Sequence, residues 1–392
     1  MTHRVAIVGT GADPDDPDTD GFAMAYRHAN AYSRLDSCHL HACADIVIEN
    51  ARRFAKEYSI PDDRVFEEYE EMLQETEPDI VSVCVPPAIH AEIVTGCAES
   101  GVVDAIHCEK PMARTWKECR EMVRVCEERD VQLTFNHQRR FGSPFRKAKA
   151  LLDGDEIGPL ERIEVGGKNL YDYGSHLFDL CGYFTEQTPA EWVLAGIDYS
   201  EENVQFGMHN ENRALVQWRY EDGVNGLAST GEDSLLRSQM RLVGRDGVIE
   251  IGHPDGPPLR FRSTSSDGWR PVDTEGDTIH GPTSDTLTSA VRLVADRVPL
   301  VSGDRFTTST FIDRAIEDVV EALDQSREPE LSAANALQAT ELIFAAWESA
   351  RRRSRIDLPL EIDSNPLERM VEDGELLVEP SREDSSPTPR QS

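Results

Sequence analysis

An α/β fold is predicted, with an N-terminal doubly wound parallel sheet and a C-terminal domain built on a mostly antiparallel, open sheet. Three observations lead there. Short apolar strands alternate with amphipathic helical stretches from Val5 to Phe135. The first strand, Val5–Val8, runs into Gly9-Thr10-Gly11, a strand–glycine turn. Beyond residue 152 the rhythm changes to short strands with the hairpin signals Asp222-Gly223 and Asp246-Gly247 between them.

In order, the glycine turn marks a dinucleotide-binding entry. Its usual third glycine does not follow; Ala12 to Phe22, with five aspartates, comes first. If residues 12–22 are an insertion, Gly9, Gly11 and Ala25 restore G-x-G-x-x-A, and Ala23–Tyr32 is the helix. The inserted loop reads as a solvated acidic loop pointing outward, and no metal site is expected. Leu40–Ala44 is the second strand. It ends at Asp45, placed to accept the ribose hydroxyls of NAD and to repel the 2′-phosphate of NADP. Glu49–Tyr58 and Tyr69–Leu73 are helical, and Ile80–Val85 is apolar but for Ser82, as strands covered on both faces are. Pro86-Pro87-Ala88-Ile89-His90 opens the next helix. Val102–Cys108 leads into Glu109-Lys110-Pro111, and Trp116, Cys119, Met122, Val123 and Cys126 form a helical stripe. Val131–Phe135 is a further strand. A ligand is expected at the carboxyl ends of these strands, where Gly9, Asp45, Pro86 and Lys110 fall.

After a linking helix near 144–152, strands are expected at Arg162–Gly166, Trp192–Ile197, Ala214–Tyr220, Val224–Thr230, Met240–Val243 and Val248–Ile251. Between the first two lies Tyr171-Asp172-Tyr173-Gly174-Ser175-His176, with Asp179 one helical turn beyond His176 and Asp172 in place to cap that helix. Residues 252–283 read as a long loop, and Asp304–Leu323 and Ala333–Arg352 as amphipathic helices. The resulting division is a dinucleotide-binding domain at 1–137, a substrate-binding and oligomerisation domain at 138–363, and an acidic, disordered tail at 364–392.

The chain has 73 acidic and 40 basic residues among 392, a formal charge of −33. That charge argues against nucleic acid and anionic membrane surfaces as partners. The acids are spread along the whole chain, and only six of the 40 basic residues are lysines. The expected setting is a halophile, where salt screens the self-repulsion. No stretch reaches the roughly 18–20 apolar residues of a membrane span. No signal peptide is expected, because Met1-Thr2-His3-Arg4 meets the first strand directly. Eight cysteines without a Cys-x-x-Cys pair suggest reduced core residues of a cytoplasmic protein.

Scarcity makes Lys110 conspicuous. Arginine stays charged, whereas lysine can exchange a proton when its surroundings lower its pKa. The ordinary alternative is a solvated Glu-Lys turn before a proline-started helix. Taken with Gly9-Thr10-Gly11, His28-Ala29-Asn30-Ala31-Tyr32, Asp45, Pro86–His90, Arg139-Arg140-Phe141, Asp172-Tyr173-Gly174-Ser175-His176 and the closing Ala350-Arg351 to Leu358-Pro359-Leu360, Glu109-Lys110-Pro111 carries a resemblance. The chain resembles the glucose–fructose oxidoreductase / inositol dehydrogenase / rhizopine-catabolism (Gfo/Idh/MocA) family over about residues 3–362. The resemblance implies a Rossmann domain followed by an α/β domain whose open sheet builds dimers or tetramers. It also implies nicotinamide-dependent oxidation or reduction of a sugar, cyclitol or related polyol, with NAD as cofactor and NADP possible. Gly9, Gly11, Asp45, Pro86, His90 and Glu109 would hold the cofactor, and Lys110, Asp172 and His176 would be catalytic.

Oxidising an alcohol needs a base for its proton. His176 is assigned that role, Lys110 stabilises the reacting oxygen, and Asp172 orients the pair; Lys110 as the base is the alternative. Tyr171 and Lys168 are placed to line the pocket. The segment between the strand at 162–166 and Asp172 is shorter than the family's usual one, so the substrate does not carry over. Two other readings stay open: a non-catalytic sensor of cofactor or sugar, and an enzyme that cycles its bound NAD internally.

Overall fold

The computed structural model describes residues 2–11, 23–283 and 309–376. The acidic insertion at 12–22, positions 304–308 of the expected helix and tail residues 377–392 lie outside the described residues.

The first half is a six-stranded parallel sheet of order β3-β2-β1-β4-β5-β6, from β1 (His3–Val8), β2 (Cys38–Ala44), β3 (Val65–Phe66), β4 (Ile80–Val83), β5 (Ala105–Cys108) and β6 (Gln132–Phe135). The order reverses between β1 and β4, which opens a crevice at their carboxyl ends. Because strand side chains alternate, Val5 and Ile7 face one side and Ala6 and Val8 the other. On one side pack α1 (Met24–Tyr32) and α2 (Ile48–Tyr58); α3 (Tyr69–Thr76), α4 (His90–Glu99) and α5 (Trp116–Arg129) cover the other. All five residues of the expected α5 stripe are buried.

A later helix completes the first side. In α8 (Phe311–Gln325), Ile312, Ile316 and Val320 join the cluster formed by Val5, Ile7 and Ala25. The helix starts at Phe311, later than sequence periodicity suggests. Thr310 and Asp313 form a reciprocal capping box there, which sets the amino end.

The second half centres on a nine-stranded sheet of order β16-β15-β14-β13-β7-β12-β11-β8-β17, in which only β7 (Leu160–Gly167) and β12 (Asn225–Thr230) pair in parallel. It includes β8 (Ala190–Asp198), β11 (Arg213–Tyr220), β13 (Met240–Gly244) and β14 (Gly247–Ile251); α6 (Ser143–Asp153) precedes it. One face is covered by α7 (Ser175–Phe184) and α9 (Ala333–Arg352), with Phe178 on Trp218 at 5.3 Å between ring centroids. Strand β11 alternates strictly, with Val216 and Trp218 inward and Leu215 and Gln217 outward. A small hairpin, β9 (Val204–Gln205) and β10 (Met208–His209), stands apart from that sheet.

Two expectations are corrected. The stretch 252–283 is not all loop: β15 (Leu259–Ser263) pairs antiparallel with β14 and carries β16 (Arg270–Pro271) on its outer edge. Its pattern was masked because Arg260 and Arg262 occupy strand positions; Arg260 instead meets Glu250 across the ladder. Nor is the chain irregular from residue 364. After β17 (Ile356–Asp357), α10 (Pro366–Glu372) is capped by the Asn365 side chain. The Glu368 carboxylate in α10 accepts from His209 N at 2.9 Å and Nδ1 at 2.8 Å, and tertiary contacts of this kind hold a helix too short to form alone. All eight cysteines are free, and six are buried. Among the described residues no helix is long and apolar enough to cross a membrane.

Candidate active site

The glycine turn after β1 sits at the switch point. Gly9 has φ +82°, and a Cβ there would come within 2.5 Å of Val85 Cγ1. Gly11, at φ +68°, has no atom of the described residues within 4 Å of its own missing Cβ. The Asp45 Oδ2 atom accepts from Gly11 N at 2.9 Å and Thr10 Oγ1 at 3.0 Å, and Oδ1 accepts from Val47 N at 2.9 Å. A carboxylate offers about four acceptor positions, so one more hydroxyl can be received without dismantling the turn. Two glycines at positive φ and an acid at the end of β2 fit a dinucleotide. Pro86 lies exposed at the carboxyl end of β4.

His90 and Glu109 stand deeper. The His90 ring is buried, with Nδ1 3.0 Å from the carbonyls of both Pro111 and Met112 and Nε2 2.9 Å from that of Val85. It ties the β4 loop to the β5 loop and has no nitrogen left to face a ligand. Glu109 Oε1 lies 2.9 Å from His28 Nε2 and accepts from Asn136 Nδ2 at 2.6 Å; Oε2 accepts from Lys110 N at 3.2 Å. These two residues shape the loop that presents Lys110. Burial disfavours a charge on His28, but Cys84 and the Glu109 hydrogen bond outweigh it and raise the imidazole to about 10. Burial likewise opposes ionisation of Glu109, and His28, Asn136 and Lys110 overcome it, holding the carboxyl at about 2. The neighbouring His107 is kept neutral by burial and by the His28 charge, at about 3.

Lys110 leaves this loop at the carboxyl end of β5 and crosses to the second half. Its Nζ donates to the Asp172 carboxylate Oδ1 and to the Asp172 carbonyl, both at 3.0 Å. Both side chains are 19% exposed, enough to be reached by a ligand. The Asp172 turn is held from below: Glu211 Oε1 accepts from Leu170 N at 2.6 Å, Asn210 Oδ1 from Asp172 N at 3.1 Å, and Asn169 Oδ1 from Tyr173 N at 2.8 Å. Asn210 and Glu211 follow β10, far away in sequence, and nothing in their local pattern marks them. Burial raises Glu211 to about 7, against hydrogen bonds from Trp347, Leu170 and Thr230 that favour its charge.

Asp172 does not cap α7. Gly174 is the N-cap, without a side-chain hydrogen bond, because the Asp172 carboxylate is turned to Lys110. Asp179 does not face His176 either; it takes the buried Arg140 fork, with Nε to Oδ2 and Nη2 to Oδ1 both at 2.7 Å. Tyr171 is not a pocket residue. Its hydroxyl donates to the Ala113 carbonyl, and its ring packs against Phe344 and Trp347. His176 is buried at the first turn of α7, and its Nδ1 has no hydrogen-bond partner among the described residues. Burial, followed by the charges of Arg139 and Lys110, pushes its pKa well below the ordinary histidine value. The His137 ring lies edge-on to it at 5.6 Å, also with an unpartnered nitrogen, Nε2. This residue, directly beyond β6, was not singled out from the sequence. The assembly joins an acid–amine pair to a neutral imidazole, and can therefore hold an alcohol oxygen and accept its proton.

Known proteins share this architecture. Two models of the Gfo/Idh/MocA oxidoreductases match: the NAD-binding Rossmann fold over residues 3–137 and the C-terminal alpha/beta domain over residues 162–358. The chain is similar to the myo-inositol 2-dehydrogenase of Thermotoga maritima, 23% identical over 264 residues, which are 63% of this chain and 72% of that protein. Two solved structures share the fold. Levoglucosan dehydrogenase in complex with NADH and levoglucosan has a TM-score of 0.70 at 17% identity, covering 92% of this chain and 100% of that one. The WlbA dehydrogenase from Bordetella pertussis in complex with NADH and UDP-GlcNAcA has a TM-score of 0.68 at 19% identity, with the same coverages.

Proposed function

The chain belongs to the Gfo/Idh/MocA family of oxidoreductases, and on that premise we propose that it exchanges a hydride between a CH–OH group of a sugar, cyclitol or related polyol and nicotinamide. It is an NAD(P)-dependent enzyme of that family. The observation that carries the reading is the Lys110–Asp172 pair at 3.0 Å beside a buried imidazole with a free nitrogen. Relatives and neighbours named for inositol and levoglucosan oxidation agree with the substrate class.

Bound nicotinamide supplies the hydride acceptor. The chain's own residues do the rest. Lys110, anchored by Asp172, donates a hydrogen bond to the reacting oxygen and offsets the negative charge that develops there. His176, held neutral, takes the hydroxyl proton on a ring nitrogen. Gly9 and Gly11 let the backbone approach the pyrophosphate, Asp45 receives the ribose and favours NAD over NADP, and Pro86 borders the crevice. Glu109 and His90 act one layer further in, by fixing the loop from which Lys110 extends.

The surroundings belong to the same proposal. The protein works in the cytoplasm of a halophile, where a formal charge of −33 is screened. Copies pair as dimers or tetramers through the face of the second sheet opposite α7 and α9, where Leu194 and Leu215 are 44% and 49% exposed. The test is to supply NAD or NADP with a panel of sugars and cyclitols in concentrated KCl and follow nicotinamide absorbance alongside product chromatography. Net reduction with matching product is expected. Product change without net reduction would replace this reading by internal cycling of bound NAD, and ligand binding with neither would replace it by a sensor.

A further inference from the structure

Two adjacent arginines leave β6 and meet different fates. Arg140 is locked into Asp179 by two hydrogen bonds of 2.7 Å. Arg139 is only 7% exposed, yet among the described residues no carboxylate lies within 4.0 Å of it. Its contacts are the Tyr173 ring, 4.5 Å below the guanidinium carbon, and Gln239 Oε1 at 3.4 Å. Gln239 Nε2 in turn donates to the Tyr173 hydroxyl, which fixes the platform. A buried cation is costly unless it is paired and hydrogen-bonded, and a cation–π contact offsets only part of that cost. Without an acid partner among the described residues, this buried guanidinium is a position suited to an anion from outside.

The location is specific. Tyr173 adjoins Asp172, and Arg139 is the foremost charge acting on His176. His280 stands 6.4 Å from the Tyr173 ring, and the charges of Arg139 and Lys168 both bear on it. Lys168, exposed at the rim, also lacks a carboxylate within 4.0 Å among the described residues. Lys110 and Asp172 neutralise one another, so among the described residues Arg139 and Lys168 leave this pocket a positive charge on a strongly negative protein.

We propose that the substrate is a sugar or polyol carrying a carboxylate, and that Arg139 receives this group as a planar, two-pronged pair while the reacting hydroxyl lies at Lys110 and His176. The proposal rests on the oxidoreductase reading above and narrows its substrate class. A single buried fork with one rim lysine suits a carboxylate monoanion; a phosphate ester, with three oxygens and about two charges, would leave oxygens unmatched.

Matched compounds test this. D-glucose, D-glucuronate and D-glucose 6-phosphate, with the corresponding galacto series, share a ring and differ at one carbon. Their binding to the NADH-bound enzyme is measured calorimetrically in a fixed KCl concentration, in parallel with NADH formation from NAD. In the wild type the uronates should bind about 10–100-fold more tightly than the neutral sugars. Arg139→Met should remove that difference while NADH affinity is kept. Arg139→Lys, which retains charge without the fork, should keep only part of it, and serves if the methionine variant does not fold. Equal binding of uronate and neutral sugar by the wild type, a preference that survives both variants, or tightest binding of the 6-phosphates would overturn the proposal. Uronate binding dependent on Arg139 with no NADH formed and no product would instead count against the oxidoreductase reading, leaving the carboxylate subsite standing. Oxidation of neutral sugars without a uronate preference would do the reverse.

Discussion

Lys110 Nζ lies 3.0 Å from both the carboxylate and the backbone carbonyl of Asp172, so a residue of the dinucleotide-binding half is anchored at the mouth of the substrate-binding half. The anchoring restricts the amine to one region of the pocket before any ligand arrives, and such preorganisation is what makes a hydrogen-bond donor effective in a transition state.

Lys110→Arg is the most informative substitution at this pair. It preserves charge but introduces a larger planar group in a space shaped by Asp172. Turnover should fall about 10²–10³-fold, with NAD affinity within a few-fold of wild type, as for Lys110→Ala. Near-wild-type turnover from folded Lys110→Arg would remove Lys110 from the chemistry.

His176 is held below the ordinary histidine range by burial and by the charges of Arg139 and Lys110. It therefore remains a neutral proton acceptor as pH falls through about 6.5. The profile of kcat/KM against pH should show no acid limb near that value. A limb there, absent in His176→Asn, would show instead that the imidazole titrates as an ordinary one.

Asp45 connects cofactor choice to the glycine turn, because the same carboxylate accepts from Gly11 N and would receive the ribose. Wild type should prefer NAD. Asp45→Ala should raise KM for NAD more than for NADP, and an arginine added nearby should complete the reversal. A wild type that already prefers NADP strongly would contradict the role given to Asp45.

The buried His28–Glu109 pair predicts a sign for stability at alkaline pH. The folded His28 value is about 10, above the unfolded value near 6.5, so its contribution is complete below 6.5 and lost as pH rises through 10. Glu211 is half-titrated near 7 and unfolded thiols near 8.5, so both add to the pH dependence over this range, and the His28 part is read by comparison with a variant. Between pH 7.5 and 8.5 His28 should add about 1.4 kcal/mol per pH unit to the fall in unfolding free energy. In Glu109→Gln this contribution should shrink, with Cys84 still raising His28, and overall stability should fall. Equal slopes in the two proteins, measured by denaturant unfolding, would mean that the pair is not ionised.

Salt dependence follows from the net charge of −33. Circular dichroism should show loss of structure in dilute buffer and recovery in concentrated KCl. A spectrum unchanged on dilution of the salt would sink the halophilic assignment.

What the sequence determined by itself is what local chemistry encodes. Periodicity placed α5 and α9, five of the six strands of the first sheet and six of the nine of the second, since a buried stripe or an alternating face leaves its trace within a few residues. Gly9, Gly11, Asp45 and Lys110 stand out in the sequence because each sits at a strand end and is unusual for its place. Only the tertiary structure decided the partners. Asp172 was in position to cap α7, but a charged amine from β5 competes for its carboxylate, and a charge-assisted hydrogen bond is about twice as strong as a neutral one. Asp179, one turn from His176, meets Arg140 instead. Asn210 and Glu211 hold the Asp172 turn from a hairpin nearly forty positions away. Arg139 and Arg140 are indistinguishable in a row of letters; one is neutralised and the other left open because of which distant side chains the fold carries to each. Such pairings depend on distances between remote segments, and those exist only once the two sheets and their helices have packed.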